Sequence, residues 1–317
     1  MKLLVTGVTG FIGQGLAKRL TDAGKYEVTG IVRHKRASID SIDSNIETVT
    51  VSEITADTDW RAVLKDVDGI VHLAARAHLL HDSSADPLTE FRKVNVEGTL
   101  NLARQAARAG VKRFVFISSI GVNGNSNERP FTEMDRPNPV EAYAVSKYEA
   151  ECGLQAIARE TGMAVVIIRP PLVYGPNAPG NFRRLMDFAA KSIPLPLGAV
   201  DNKRSLIALD NLVEFIVICI DHPNAANEIF LIADGEDVST IDLLKMTSRA
   251  FGRKLLLIPV PVNWLYFAAK LIGKPGIANS LLGSLRVDIT KAKRQLGWSP
   301  VITMEAQLQK AAEAYFK

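Results

Sequence analysis

Over residues 1–170 short apolar runs alternate with helix-length amphipathic stretches, and no other feature constrains the fold as strongly. "KLLVTG" is a buried-strand pattern, and "FIGQGLAKRLTDAG" is a helix closing on Gly24. "YEVTGIVR", "IETVTVSEI", "GIVHLAA", "RFVFISS" and "AVVIIRP" supply five further strands. "FRKVNVEGTLNLARQAARAG" and "YAVSKYEAECGLQAIARETG" carry apolar residues at helical spacing between the later ones. Such alternation predicts an α/β fold, a doubly wound parallel sheet covered by helices on both faces.

After Pro170 the rhythm breaks. "PPLVYGPNAPGN" reads as a loop, and strand-like runs return only at "RSLIALD" and "EIFLIAD". We therefore expect residues 1–170, with returns near 204–235, to form a nucleotide-binding domain. Residues 171–203 and 236–317 would form a smaller, discontinuous lobe over the sheet's carboxyl edge.

Bulk composition removes several classes of function. With 317 residues, 47% hydrophobic and 23% charged, the chain is an ordinary globular sequence. A net charge of +4, carried by dispersed residues, argues against nucleic-acid binding. Cys152 and Cys219 are the only cysteines. They make no disulfide framework and no metal-ligand cluster, so no metal is expected and a reducing cytoplasm fits. "MKLLVTGVTG" is not a signal peptide. "LLLIPVPVNWLYFAAKLIG", Leu255 to Gly273, is broken by Pro259 and Pro261, and the apolar run beyond these prolines is too short to span a bilayer. A packed helix is expected there, with a membrane-surface contact as the alternative.

Gly7, Gly10 and Gly13 recur at three-residue spacing directly after a strand and at the opening of a helix. That context suits a pyrophosphate, because it combines a tight turn, close backbone approach and helix N-terminal amides. The second strand ends near Arg33, about twenty residues further on. An acid at that place holds ribose hydroxyls and selects NAD, whereas this chain offers Arg33, His34, Lys35 and Arg36. Guanidinium suits a 2′-phosphate, so NADP(H) is expected, with NAD(H) the alternative.

Tyr143 and Lys147 lie four apart on a helix and so project side by side. A free phenol titrates near ~10, and a neighbouring ammonium lowers that by roughly 1–3 units, giving a proton donor or acceptor of usable strength.

The G-x-x-G-x-x-G spacing resembles the extended short-chain dehydrogenase/reductase superfamily, and in particular its nucleotide-sugar epimerase/dehydratase members. The matching pieces are "TGVTGFIG", "HLAA", "NVEGT", "FISSIG", "YAVSK", "IRPPLVYGP", "RSLIALDNL" and "KAKRQLGWSP", spread over nearly the whole chain. The resemblance implies a Rossmann-like domain, a C-terminal sugar-nucleotide domain, and a homodimer built on helices around residues 91–110 and 143–160. It also implies a catalytic set of Ser119, Tyr143 and Lys147, with Ser119 holding the substrate oxygen and Ser118 structural.

Cofactor contacts implied in the glycine turn are Gly7, Gly10, Phe11, Ile12 and Gly13, with Arg33 at the ribose. Glu53 and Ile54 would face adenine. Leu73, Ala74 and Ala75 would let the chain pass close to the dinucleotide, with His72 a packed residue. Tyr143, Lys147 and Pro170 would border the nicotinamide. Arg204, Arg286 and Asn181 match diphosphate contacts of the family, and "PLPLG", Pro194 to Gly198, matches the strip framing the base.

Three reactions share this scaffold. The resembling dehydratases carry an Asp-Glu pair where this chain has Ile120 and Gly121, which argues against dehydration. The basic stretch at Arg33 favours NADPH-dependent reduction of a UDP- or dTDP-4-keto-6-deoxyhexose for surface polysaccharide. The alternatives are a UDP-hexose or UDP-N-acetylhexosamine 4-epimerase holding NAD, and a non-catalytic NADP(H)-binding sensor. Ketone reductases acting on steroids or flavonoids share the catalytic set, and Arg204, Arg286 and "PLPLG" argue against them.

Overall fold

The computed structural model describes residues 1–33, 46–76, 86–271, 273 and 281–316. Seven strands form one parallel sheet: β1 (Lys2–Thr6), β2 (Glu27–Val32), β3 (Glu47–Thr50), β4 (Gly69–His72), β5 (Arg113–Ile117), β6 (Ala164–Arg169) and β9 (Ile229–Leu231). Their order is β3-β2-β1-β4-β5-β6-β9, and every pairing is parallel. The chain reverses its direction of travel across the sheet between β1 and β4, the place where a doubly wound sheet opens a crevice at its carboxyl edge.

Helices cover both faces, as a sheet of buried apolar strands requires. On one face α1 (Phe11–Ala23) and α6 (Leu209–Asp221) bury Leu16, Leu20, Leu212 and Ile216 against Val5, Val115 and Val166. On the other, α3 (Thr99–Arg108) and α4 (Ala142–Thr161) bury Leu102, Ala106, Leu154 and Ile157 against Leu4, Phe114 and Ile167. Each such side chain, fully buried, contributes on the order of 1.5–3 kcal/mol. The predicted stop at Gly24 holds, and Gly24 and Gly162 end α1 and α4 in the left-handed conformation, with φ of 65° and 76°.

The stretch expected as one helix over residues 91–110 is three pieces. These are α2 (Pro87–Arg92), a π-helical segment (Lys93–Gly98) and α3. Widening the turn carries Asn95 inward to full burial, and Gly98 lies so close to Ile54 that a Cβ would meet its carbonyl oxygen at 2.6 Å.

A second, three-stranded sheet has the order β10-β8-β7, with β7 (Leu172–Tyr174), β8 (Arg204–Ala208) and β10 (Asp237–Val238). β7 lies inside the stretch read as loop. Three residues sufficed for a strand because they pair in parallel with Leu206–Ala208. Within the expected returns near 204–235, α6 and β9 join the large sheet while β8 belongs to the small one. α5 (Gly180–Lys191), α7 (Thr240–Ala250) and the C-terminal helix Met304–Tyr315 pack on the small sheet through Phe182, Met186, Leu243 and Leu308. α8 (Val262–Leu271), expected to be packed, packs Val262, Leu265 and Ala269 against Val200 and Leu282, with no residue fully buried.

Among the described residues, no helix is long and apolar enough to cross a membrane. No group of His, Cys, Asp or Glu among them is arranged to hold a metal ion. Cys219 is buried and Cys152 exposed, and neither is in a disulfide.

Candidate active site

The turn from β1 into α1 is built by glycine. Gly7 has φ of 72°, and a Cβ there would meet the Ala74 amide nitrogen at 2.7 Å. A Cβ on Gly13 would meet the Gly7 carbonyl oxygen at 2.1 Å. The Gly10 amide donates to that same oxygen at 2.9 Å, closing the turn. Gly10 then caps α1 with no side-chain hydrogen bond. The first-turn amides, at Phe11, Ile12 and Gly13, have no intrahelical acceptor. A cradle that a single Cβ would fill, fronted by such amides, fits a dinucleotide's pyrophosphate.

The opposite wall is held by a buried polar chain. Nδ1 of His72 lies 2.7 Å from Thr6 Oγ1 and Nε2 lies 2.9 Å from Thr99 Oγ1, while the Ala74 amide donates to Thr6 Oγ1 at 3.3 Å. Burial lowers the His72 pKa to about 3, helped by the nearby Lys147 charge. His72 is thus the packed histidine the sequence suggested, and it fixes Leu73, Ala74 and Ala75 beside the glycine turn. Asn95 steadies the next residue. Its Oδ1 accepts from the Arg76 amide at 2.8 Å, and its Nδ2 donates to the Arg76 carbonyl and to Ser146 Oγ, both at 3.0 Å. Asn95 received no role from sequence reasoning, although "NVEGT" was among the resembling motifs.

Ser119 follows β5 in extended conformation, and its Oγ accepts from the Gly121 amide at 3.1 Å. A Cβ on Gly121 would meet Ala144 Cβ at 3.2 Å and Ser119 Oγ at 3.3 Å. Gly121 therefore stands between Ser119 and the first turn of α4, which carries Tyr143. The Tyr143 ring is half-buried and packs edge-on to Phe91, with centroids 5.9 Å apart. Lys147 is buried, donates from Nζ to the Ile117 carbonyl at 2.8 Å, and holds its ammonium 4.4 Å from the Phe116 ring centroid and 5.9 Å from that of Tyr143. Helix α4 and strand β5 thus bring Ser119, Tyr143 and Lys147 to one edge.

The electrostatics differ from expectation. The ammonium was expected to lower the phenol, but burial pushes Tyr143 up to about 12. Burial also draws Lys147 down to about 7, against the pull of Glu151. A low-dielectric site disfavours both charged forms, and Lys147 spends its hydrogen bond on a carbonyl.

Beneath the site lies a second feature that sequence reasoning missed. Arg169 donates from Nη2 and Nε to Glu151 at 2.5 and 2.9 Å and from Nη1 to Asn123 Oδ1 at 2.9 Å. Ser118 Oγ donates to Glu151 Oε1 at 2.5 Å, which makes Ser118 structural. The Pro170 carbonyl accepts from the Ile120 amide at 2.9 Å, tying the ends of β5 and β6 together.

The outer cofactor positions are less enclosed. Arg33 is exposed at the end of β2, and His34, Lys35 and Arg36 lie outside the described residues. Glu53 is exposed, its carbonyl accepting from Thr58 Oγ1 at 2.8 Å. Ile54 is buried in the core rather than turned outward.

Of the diphosphate candidates, Arg204 is half-buried and donates from Nη1 to the Gly283 carbonyl at 3.0 Å. Burial lowers its pKa, and among the described residues it forms no ion pair. Asp210 is engaged by Lys310, and Asp288 by the Thr290 amide. The segment Leu285–Val287 runs beside β8 and brings Arg286 into the same region. Arg286 donates from Nη2 to the Glu128 carbonyl, while its buried Nε has no partner. An open cleft of about 720 Å³, lined by Asn127, Glu128 and Ser284 among others, adjoins it. Asn181 is exposed in the first turn of α5. "PLPLG" pairs with residues 256–258 through Leu195 and Gly198.

Comparison with known proteins agrees with the fold. The model of the NAD dependent epimerase/dehydratase family matches residues 3–233. A UDP-glucose 4-epimerase of Vibrio cholerae is 45% identical over 319 aligned residues, covering 99% of this chain and 95% of that protein. A crystal structure of UDP-glucose 4-epimerase from Thermotoga maritima with UDP-glucose superposes with a TM-score of 0.79 at 23% identity, covering 100% of this chain and 99% of that one. UDP-glucuronic acid 4-epimerase from Bacillus cereus in complex with NAD superposes with a TM-score of 0.80 at 23% identity, over 99% and 98% of the two chains. At those identities the two structures share the fold. The family match and the Vibrio cholerae relative go further, and the chain belongs to the NAD-dependent epimerase/dehydratase family of enzymes.

Proposed function

We propose that the protein is an NAD(H)-dependent 4-epimerase of a UDP-hexose or UDP-N-acetylhexosamine. The observation that supports this reading is that Ser119 and the first turn of α4, which bears Tyr143, flank Gly121 at the sheet edge where the glycine cradle opens. The Vibrio cholerae relative, a UDP-glucose 4-epimerase at 45% identity, favours epimerisation over the reduction expected from the Arg33 stretch. The expected NADP(H) preference finds no support in a family described as NAD dependent.

Gly7, Gly10 and Gly13 would hold the pyrophosphate, with Leu73, Ala74 and Ala75 along the other wall and Pro170 near the ring. When bound, the nicotinamide supplies hydride chemistry at the sugar's C4. The chain's own part is proton handling and orientation. Ser119 Oγ would hold the C4 oxygen by a hydrogen bond. Tyr143 Oη, as the phenolate, would take the proton of that hydroxyl and, as the phenol, give it back. Lys147, fixed by the Ile117 carbonyl, would stabilise the phenolate as it forms. Arg204, Arg286 and Asn181 would hold the diphosphate, the two arginines as charge-assisted donors. The same reading takes in a homodimer across the helices around residues 91–110 and 143–160, a cytoplasmic site of action and a supply of sugars for surface polysaccharide.

The test is a panel of UDP-hexoses and UDP-4-keto-6-deoxyhexoses with each dinucleotide, read by NMR of the product. Epimerisation interconverts the hexoses with no net change in nicotinamide absorbance. Stoichiometric oxidation of NADPH by the keto sugar, with the hexoses untouched, overturns the proposal in favour of a 4-ketoreductase. The exposed Arg33 is the observation that keeps that second reading in the test. Tyr143→Phe should lower turnover by about a hundredfold or more while leaving dinucleotide affinity near normal. Unchanged turnover would remove Tyr143 from its role.

A further inference from the structure

The lobe beyond β10 carries an apolar surface that nothing in the site uses. Trp264, Phe267 and Leu271 are 71%, 65% and 71% exposed. Their spacing of three and then four residues places them on one stripe of α8. Leu256 and Ile258, on the preceding extended segment, are 60% and 47% exposed. The opposite side of α8 is accounted for, since Val262, Leu265 and Ala269 pack around Val200, Leu282 and Leu197. The helix is thus seated in the lobe by one face and presents aromatic and aliphatic side chains on the other.

The charge of the segment that carries this stripe has one sign. From Leu243 to Val287 the sequence holds seven Lys and Arg and no Asp or Glu, although the whole chain carries 38 basic and 34 acidic residues. Arg253, Lys254 and Lys270 are exposed, and none forms an ion pair among the described residues. A Trp, Tyr and Phe cluster rimmed by Lys and Arg, on a helix about 15 Å long, is the chemistry of a segment lying in the plane of a bilayer interface.

We propose that α8 and its basic flanks dock the enzyme on the surface of an anionic lipid bilayer. Trp264, Phe267 and Leu271 enter the headgroup region, and Arg253, Lys254 and Lys270 meet lipid phosphates. A second copy of this chain fits the surface poorly. A two-fold contact would set the same basic rim against itself, with no carboxylate of residues 243–287 to offset it. The apolar stripe and the basic rim together match an acidic lipid surface, and neither alone would.

The protein carries its own reporter. Of its three tryptophans, Trp60 and Trp298 are 0% and 2% exposed, so only Trp264 meets solvent. The full-length protein is mixed with phosphatidylcholine vesicles, with and without about one third phosphatidylglycerol, and recovered by flotation. Binding to the anionic vesicles alone, weakened by salt and accompanied by a blue shift of tryptophan emission, is the expected result. Trp264→Ser with Phe267→Ser, and separately Lys254→Glu with Lys270→Glu, should each weaken binding by about tenfold or more. Both pairs should leave turnover of soluble substrate without vesicles unchanged, which also checks folding. If the serine pair does not fold, the glutamate pair and the wild-type emission shift decide. Three outcomes overturn the proposal. One is no flotation with anionic vesicles. Another is binding that both variant pairs retain. The third is a concentration-dependent dimer in sedimentation equilibrium that the serine pair abolishes.

Discussion

Glu151 and Arg169 form a two-pronged ion pair with both side chains only 2% exposed, one turn beyond Lys147 on α4 and at the end of β6. Two further groups, Ser118 and Asn123, complete the pair's hydrogen bonding. A buried pair of this kind adds little over an apolar replacement of both partners, but removing one partner strands a charge. Glu151→Gln should therefore cost on the order of 3–5 kcal/mol, read as a lowered denaturant midpoint. Ser118→Ala, which removes one neutral donor, should cost only about 1–2 kcal/mol. Equal losses in the two variants would contradict the assignment of the pair as the charged centre of this network.

Lys147 makes stability depend on pH. Its folded value of about 7 lies below its ordinary 10.5. Between those values the unfolded chain holds the extra proton, so stability rises with pH across the window and the cost of the buried charge is greatest below pH 7. The effect should amount to a few kcal/mol, on the order of 1.4 kcal/mol per pH unit. Urea unfolding at about pH 7 and pH 9 measures it. Lys147→Met removes the titrating group and should flatten the slope. An equally steep slope in that variant would rule Lys147 out as its source.

The glycine turn should tolerate no side chain at its tightest point. Gly13→Ala drives a methyl group to 2.1 Å from the Gly7 carbonyl oxygen, which is backbone and cannot rotate away. Dinucleotide affinity, measured by calorimetry, should fall at least about tenfold, because the amides of the first turn move with it. Gly24→Ala is the control. No atom lies within 4 Å of its added Cβ, so only the strain of its positive φ is felt and affinity should hold.

Arg204 is desolvated, and among the described residues its side chain bonds only a carbonyl. Arg204→Ala should raise the Michaelis constant for the UDP-sugar about tenfold or more with a smaller change in kcat, the signature of lost ground-state binding. An unchanged Michaelis constant would move the diphosphate elsewhere.

The large sheet was legible in the sequence because buried parallel strands are short unbroken apolar runs, and "KLLVTG", "GIVHLAA" and "AVVIIRP" could hardly be anything else. Gly7, Gly10, Gly13, Tyr143 and Lys147 were legible because backbone sterics and helical spacing act locally. β7 was not, since three residues bounded by Pro and Gly become a strand only through a distant partner in β8. The π-helical turn at Asn95 was hidden for a related reason. One extra residue per turn is selected by the packing of Gly98 on Ile54, which no local pattern encodes. The Tyr143 pKa ran opposite to expectation because burial, a property of the whole fold, outweighs the cation one turn away.

Arg169 and Leu231 are paired neighbours in the large sheet, and from these adjoining strand ends the chain twice departs for the small one. A third crossing, at Ala208, is fastened to the same corner by the Asp234 carboxylate. The two layers also share a core, since Ile207, Leu285 and Val287 pack in one cluster with Val115 and Val166. Arg169 stands at that corner and is held by Glu151 to the helix that bears Tyr143, so one ion pair ties the seam of the two sheets to the element that carries the phenol.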